Sequence, residues 1–329
     1  MSMKFTAKLV FAGYLSFSTL TFASTLSPLD NAIAVLKAGQ TEQAIALFEK
    51  QKEDPKAMVY LAKIYMDVDL DEAEDWIEKA LKVKLNDAEA YYVRGAIMGR
   101  QASGSIFSAL SYAEKSMNSF TKAVELEPDS IKYRKGLMQF HTSAPGIAGG
   151  DLDIAKVQLG KIKQLDPKAG LEAEIDYELS QDNDALAEDL LQQAKQTYKD
   201  IPDFFFQAGM VQQQKENYQA AFEELTMAIS KSAETEASVV ARYNALYQLG
   251  KTSVLSETNI DAGIKALQEF IDKAPDLDGL SPKPWAEFRL ANLMALNSQK
   301  AEAKMIYLRL AKTDNQDLAK QAKKAAKRI

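Results

Sequence analysis

The sequence predicts an all-α protein in which one pair of helices is repeated along the chain. Three observations predict it. The 329 residues include only 15 Gly and 9 Pro, too few for a turn-rich β fold, while 47% are hydrophobic. Prolines at 55, 128, 167, 202 and 275 are spaced by 73, 39, 35 and 73 residues, a period in the mid-thirties or its double. One apolar pattern also recurs: a small residue, a large one four later, then a small or apolar one three after that. That spacing is a single stripe along a helix.

The chain opens with Lys4 and Lys8, an apolar run from Leu9 to Phe22, and Thr21-Phe22-Ala23. This layout is expected of a secretory signal peptide spanning 1–23 and cut after Ala23. The run falls short of the roughly 20 residues a spanning helix needs, although an uncleaved anchor is the alternative. No later stretch is apolar enough to be a transmembrane segment. Cleavage removes Lys4 and Lys8, so 38 bases face 46 acids and the net charge moves from −6 to −8. The expected product is soluble and periplasmic, with secretion as second choice.

The stripe then marks second helices in order. Ala44 and Phe48 open the series, and Ala73, Ile77 and Ala80 follow. Next come Ser116, Phe120 and Ala123; Ala155, Leu159 and Ile162; and Ala187, Leu191 and Ala194. Ala221, Leu225 and Ala228 precede Gly263, Leu267 and Phe270, and Ala303, Tyr307 and Leu310 close the count. First helices carry their own small residue: Ala32, Ala62, Gly95, Gly209, Gly250 and Ala291. Small residues on both helices let a pair approach closely, so Gly209 and Ala221 are expected to face each other. Proline ends the second helix because it cannot continue the hydrogen-bond ladder.

Phe205-x2-Ala208-Gly209-x2-Gln212 with Ala221-x3-Leu225 resembles the tetratricopeptide repeat, as do Leu290-Ala291-x2-Met294 with Ala303-x3-Tyr307, and Leu61-Ala62-x2-Tyr65. The resemblance implies a right-handed superhelical solenoid of about eight helix-turn-helix units over 24–315. Residues 316–329, with Lys320, Lys323, Lys324, Lys327 and Arg328, read as a C-terminal capping helix with a wet outer face. Their charge also suits acidic partners or anionic lipid headgroups.

Two adjacent units are too long. The excess falls near 99–115, expected to lengthen the second helix backwards, and near 142–152, where Pro145 and three glycines forbid a helix. Both lie at the turn inside a unit, so they should emerge from one edge and touch. Ala144–Asp151 resembles a loop in a subset of bacterial envelope tetratricopeptide proteins, a short likeness with no activity attached.

The composition excludes much chemistry. An acidic chain does not favour nucleic acid. No Cys means no thiolate or Cys-ligated metal, and one His removes any site needing two imidazoles. Glycines 146–150 lack the Lys-Ser/Thr of a phosphate loop, and His141-Thr142-Ser143 implies no orienting acid. Asp67, Asp69 and Asp71 with Glu78 mimic a calcium loop, but Glu72 stands where its glycine belongs. No enzyme, cofactor or metal site is expected.

The resemblance implies a concave groove lined by first helices. It maps to Tyr92 and Ala96; Arg134, Met138 and His141; Phe206, Met210 and Gln213; Tyr247 and Lys251; and Phe288 and Asn292. The competing reading is that half of these pack between units. On the insertion edge, Ile106, Phe107, Leu110 and Tyr112 supply apolar surface. The expected function is a protein-protein interaction scaffold of the bacterial cell envelope, its partner a protein, a peptide or a second copy of the chain. A periplasmic binder of a small solute, peptide or peptidoglycan fragment is the alternative.

Overall fold

A computed structural model describes residues 26–37, 40–104, 107–277, 279–313 and 315–329. The expected leader and Ile106 lie outside these residues. Among the described residues there are seventeen α-helices and no strand. They form eight antiparallel pairs. These are α1 (Pro28–Lys37) with α2 (Thr41–Glu49), α3 (Pro55–Tyr65) with α4 (Leu70–Val83), and α5 (Ala88–Gly104) with α6 (Ala109–Leu126). Next are α7 (Ile131–Ser143) with α8 (Leu152–Leu165), and α9 (Pro167–Ser180) with α10 (Asp184–Thr197). The last three are α11 (Asp203–Gln214) with α12 (Tyr218–Ser230), α13 (Glu236–Ser256) with α14 (Ile260–Lys273), and α15 (Lys283–Leu296) with α16 (Lys300–Leu310). The cap is α17 (Gln316–Ala326), as expected.

Each helix touches its sequence neighbours, and first helices also touch the next first helix, as α11 does α13 and α13 does α15. Every helix is therefore held within a quasi-one-dimensional stack. The stripe residues are the core of that stack: Ala44, Phe48, Ala73, Ile77, Ala123, Ala155, Ala187, Ala221, Leu225, Leu267 and Phe270 are fully buried. The close approach inside a pair has a slightly different register from the expected one. The Cα of Gly209 abuts the Leu225 side chain, one turn beyond Ala221. The small residue of the first helix thus receives the large residue of the second.

Proline has two roles. Pro55 and Pro167 do not merely bar the preceding helix; each occupies the first turn of the next, where a missing N–H costs nothing. Asp54 and Asp166 cap those starts by accepting from backbone N–H groups. The acids of the calcium-like run are helix-start groups too. Asp69 Oδ1 accepts from the amides of Asp71 and Glu72 at 3.0 and 3.1 Å. Among the described residues no trio of His, Asp or Glu is placed to hold a metal, and no helix is long and apolar enough to cross a membrane.

The insertions need correction. The first is shared between two helices. α6 does start early, seven residues before Ser116, whereas α12 starts three before Ala221. Much of the added length, however, extends α5, which runs on for nine residues past Gly95. In the second insertion the chain makes a 3-10 turn at Gly146–Ala148 before Asp151 caps α8. Pro145 and the glycines exclude an α-helix there, but not this tighter turn. α6 packs on the 3-10 turn, with Gly149 against Met117.

Candidate functional site

Where the insertions meet they enclose a cleft of about 660 Å³. Its floor is made of small residues: Gly95, Ala96, Gly99 and Ala102 from α5, Ala113 and Ser116 from α6, and Gly136 from α7. Beneath it lies the Phe120 ring. A methyl group on Gly95 would come within 2.8 Å of that ring, and one on Gly136 within 3.2 Å. Two bare backbones therefore clasp the ring, and Ser116 Oγ ties α6 to the Gly95 carbonyl at 2.7 Å. Pro145, Ile147 and Ala148 form the far wall. Ile147 is 83% exposed, Leu110 53%, and Phe107, in the turn between α5 and α6, 98%. Side chains this apolar gain about 1.5–3 kcal/mol each when fully covered.

The wall is fixed in place. Its amides at Ala148 and Gly150 donate to the Pro145 carbonyl at 2.8 and 3.1 Å, and Asp151 N–H donates to the His141 carbonyl at 3.1 Å. His141, 3% exposed, places Nδ1 3.0 Å from the Gly149 carbonyl. Burial holds its pKa below the usual histidine value, against the opposing pull of the Gly149 hydrogen bond and Asp151. The neutral ring with Nδ1–H donating is therefore the fitted form. Because the folded-state pKa is depressed, the unfolded chain binds the proton more readily. Stability is full above pH of about 6.5 and falls as the solution is acidified below it. The wild type is expected to lose more thermal stability between pH of about 7.5 and 5.5 than His141→Asn. Equal losses would show that His141 does not couple to the fold.

The ten expected binding residues divide. Leu110 lines the cleft, whereas Phe107 is exposed in the turn before α6 and is not among the lining residues. Phe206, Met210 and Asn292 are half-buried along first helices, with Asn292 Oδ1 accepting from Tyr307 O–H at 2.7 Å. Met138, Tyr247 and Phe288 are corrected to core residues. Met138 joins Ala155 and Leu159, Tyr247 lies 5.8 Å from the Phe270 ring, and Phe288 lies 5.6 Å from Tyr307. In each case these contacts come from the second helix of the same pair. Tyr92 belongs to an aromatic cluster with Phe120 and Tyr133 at 5.6 and 5.4 Å. Arg134 donates to the Pro128 carbonyl and to Gln158 Oε1, both at 2.6 Å, so its fork is occupied inside the protein. Of the cleft floor, sequence reasoning named Ala96 as a groove residue and missed the rest. The available signal was Gly95-x3-Gly99, which puts two bare positions one turn apart when packing needs only the first.

The helix pairs are arranged as in tetratricopeptide repeats. Eight helix pairs are followed by a cap, and in three of them a glycine of the first helix receives a large side chain of the second: Gly95 and Phe120, Gly209 and Leu225, Gly250 and Leu267. No family profile matches the sequence, and no curated protein matches it. Solved structures are similar in arrangement. The MamA protein is 16% identical over 52% of this chain and 90% of its own, with a TM-score of 0.40. Yeast Tom70 is 13% identical over 91% and 94%, with a TM-score of 0.43. A tetratricopeptide repeat protein from Parabacteroides merdae is 13% identical over 81% and 97%, with a TM-score of 0.43.

Proposed function

We propose that this chain is a non-enzymatic interaction scaffold, exported to the bacterial envelope, that seats an apolar segment of a protein partner in the insertion-built cleft. One observation carries the reading. Two extra pieces, dispensable for repeat packing, together form a preorganised apolar cleft with Ile147 exposed on its wall and Phe107 exposed in the turn before α6. Ordering extra chain is unfavourable unless something offsets it, and exposed apolar patches mark interfaces. A floor of small residues lets a partner's backbone come close. Export rests on the Lys4/Lys8 start and the apolar run ending at Ala23.

The cleft volume gives a second reading some support. At about 660 Å³ it lies within the roughly 300–1,000 Å³ of small-molecule sites, which suits a small apolar solute. Thermal stabilisation by such a solute, without protein capture, would favour it.

One experiment covers both parts of the main reading. The full chain, carrying a photo-crosslinker in place of Ile147, is expressed in intact bacteria and released by osmotic shock. The expected product begins at Ser24 and carries one dominant crosslinked protein. Deleting 142–150, or changing Phe107 and Leu110 together to Ser, should preserve the helical signal and abolish the crosslink. A product retained in the membrane with Met1 intact refutes export. Folded variants that capture the same protein refute the cleft.

A further inference from the structure

A second cavity, of about 670 Å³, lies at the other end of the stack, along the first helices α13 and α15 and the cap α17. It differs from the cleft in chemistry. Arg289, Lys300, Lys324 and Arg328 line it, with Glu257 as the one acidic side chain in the lining. This concentration of bases stands out in a chain whose acids outnumber its bases 46 to 40.

The bases also lack acidic partners, although the Arg289 guanidinium lies 5.9 and 5.7 Å from the Trp285 and Phe288 ring centres. In the same units Arg242, Lys273 and Arg309 find Glu269 or Glu287. Lys251, Arg289, Lys300, Lys324 and Arg328 form no ion pair with an acid among the described residues. Arg289 Nε is buried and makes no hydrogen bond, although an enclosed guanidinium N–H is costly to leave unmet. Lys251, on α13, shares its surroundings with Arg289. Burial, with the Arg289 charge beside it, holds the Lys251 ammonium below the usual lysine value. Asn292 completes the wall. Tyr307 O–H occupies its Oδ1, which turns its NH₂ group away as a donor. Between these groups lie Val254, Phe288, Ala295 and Leu296.

We propose that this cavity binds an acidic segment of a polypeptide, with one carboxylate on the Arg289 fork and further carboxylates along the Lys300, Lys324 and Arg328 edge. Paired N–H groups of a guanidinium match the two oxygens of a carboxylate, which a lone ammonium does not. Several cations spread across three helices suit a multiply charged segment better than one compact ion. Apolar walls suit the intervening methylenes and backbone. These cations line a cavity and not a flat patch, and a bilayer surface cannot enter a cavity. This site is separate from the cleft and does not rest on the reading given for it.

Titration calorimetry on the folded full chain tests the proposal. The probes are a hexaglutamate peptide, hexaglutamine, inorganic phosphate, and vesicles containing phosphatidylglycerol. Hexaglutamate should bind, phosphate should bind more weakly, and hexaglutamine and vesicles should not bind. Arg289→Gln with Lys324→Gln should weaken hexaglutamate at least about tenfold, and salt raised from about 0.05 M to about 0.5 M should weaken it further. Lys79→Gln, far from the cavity, should leave binding unchanged, as should the Phe107 and Leu110 double Ser variant. Binding that survives Arg289→Gln with Lys324→Gln in a normally melting protein overturns the proposal. Phosphate binding as tight as hexaglutamate, or vesicle binding without peptide binding, overturns it as well.

Discussion

Gly250→Ala destabilises the protein, although alanine is the better helix former. The exchange favours an exposed helix by about 1 kcal/mol. At Gly250, however, the added methyl would lie 2.3 Å from Cγ of Leu267, a fully buried side chain that is held at its branch point. Overpacking of this kind costs about 1–3 kcal/mol and outweighs the gain. Gly160 is the matched control. It is exposed in mid-α8, and a methyl there meets nothing within 4 Å. Gly160→Ala should raise the urea midpoint and Gly250→Ala should lower it. Shifts of the same sign would mean that propensity, not the close pairing of first and second helices, dominates the stack.

Gly150→Ala should remove the cleft wall and spare the solenoid. A methyl at Gly150 would be placed 1.8 Å from the Ala144 carbonyl oxygen and 2.7 Å from its carbon. These are backbone atoms, so no rotamer change relieves the overlap and the turn must open. Opening breaks the bonds from Gly150 N–H to Pro145 and from Asp151 N–H to His141. Amide exchange at Gly150 and Asp151 should then be at least about tenfold faster, the mark of a local loss of about 1.4 kcal/mol or more. Helical signal should persist because α7 and α8 remain held by Met138, Ala155 and Leu159. Unchanged exchange would show that the loop has another way to close.

The stripe residues could be read because a helix repeats every few residues and only one face of it is buried. Ala221, Leu225 and Ala228 announce that face with no knowledge of the neighbours. Insertion sites were readable for the same reason, as breaks in a count. The groove residues were harder because their surroundings are supplied by other helices. Tyr247 and Phe288 occupy nominal groove positions, and whether such a residue meets solvent or the next helix depends on how far adjacent units are rotated. Arg134 was misplaced for a different reason: one of its partners is a main-chain carbonyl, at Pro128, which no side-chain pattern reveals. The Arg289 cavity was only half visible. Lys324 and Arg328 suited an acidic partner, but Arg289 joins them only when α15 and α17 are brought side by side.

The ring of Phe120, clasped between Gly95 and Gly136, has a mechanical consequence. The two glycines belong to successive units, and the cleft is bounded by the same two first helices. Its width is therefore set by the angle between those units. With no Cβ on either side, the two units meet on the aromatic disc itself, so the ring sets how closely their first helices approach. A segment seated in the cleft would fill the gap between those units and fix the angle between them. Rotation at this joint swings every unit beyond it, so the lever arm carries a small change in cleft width out to the ends of the stack.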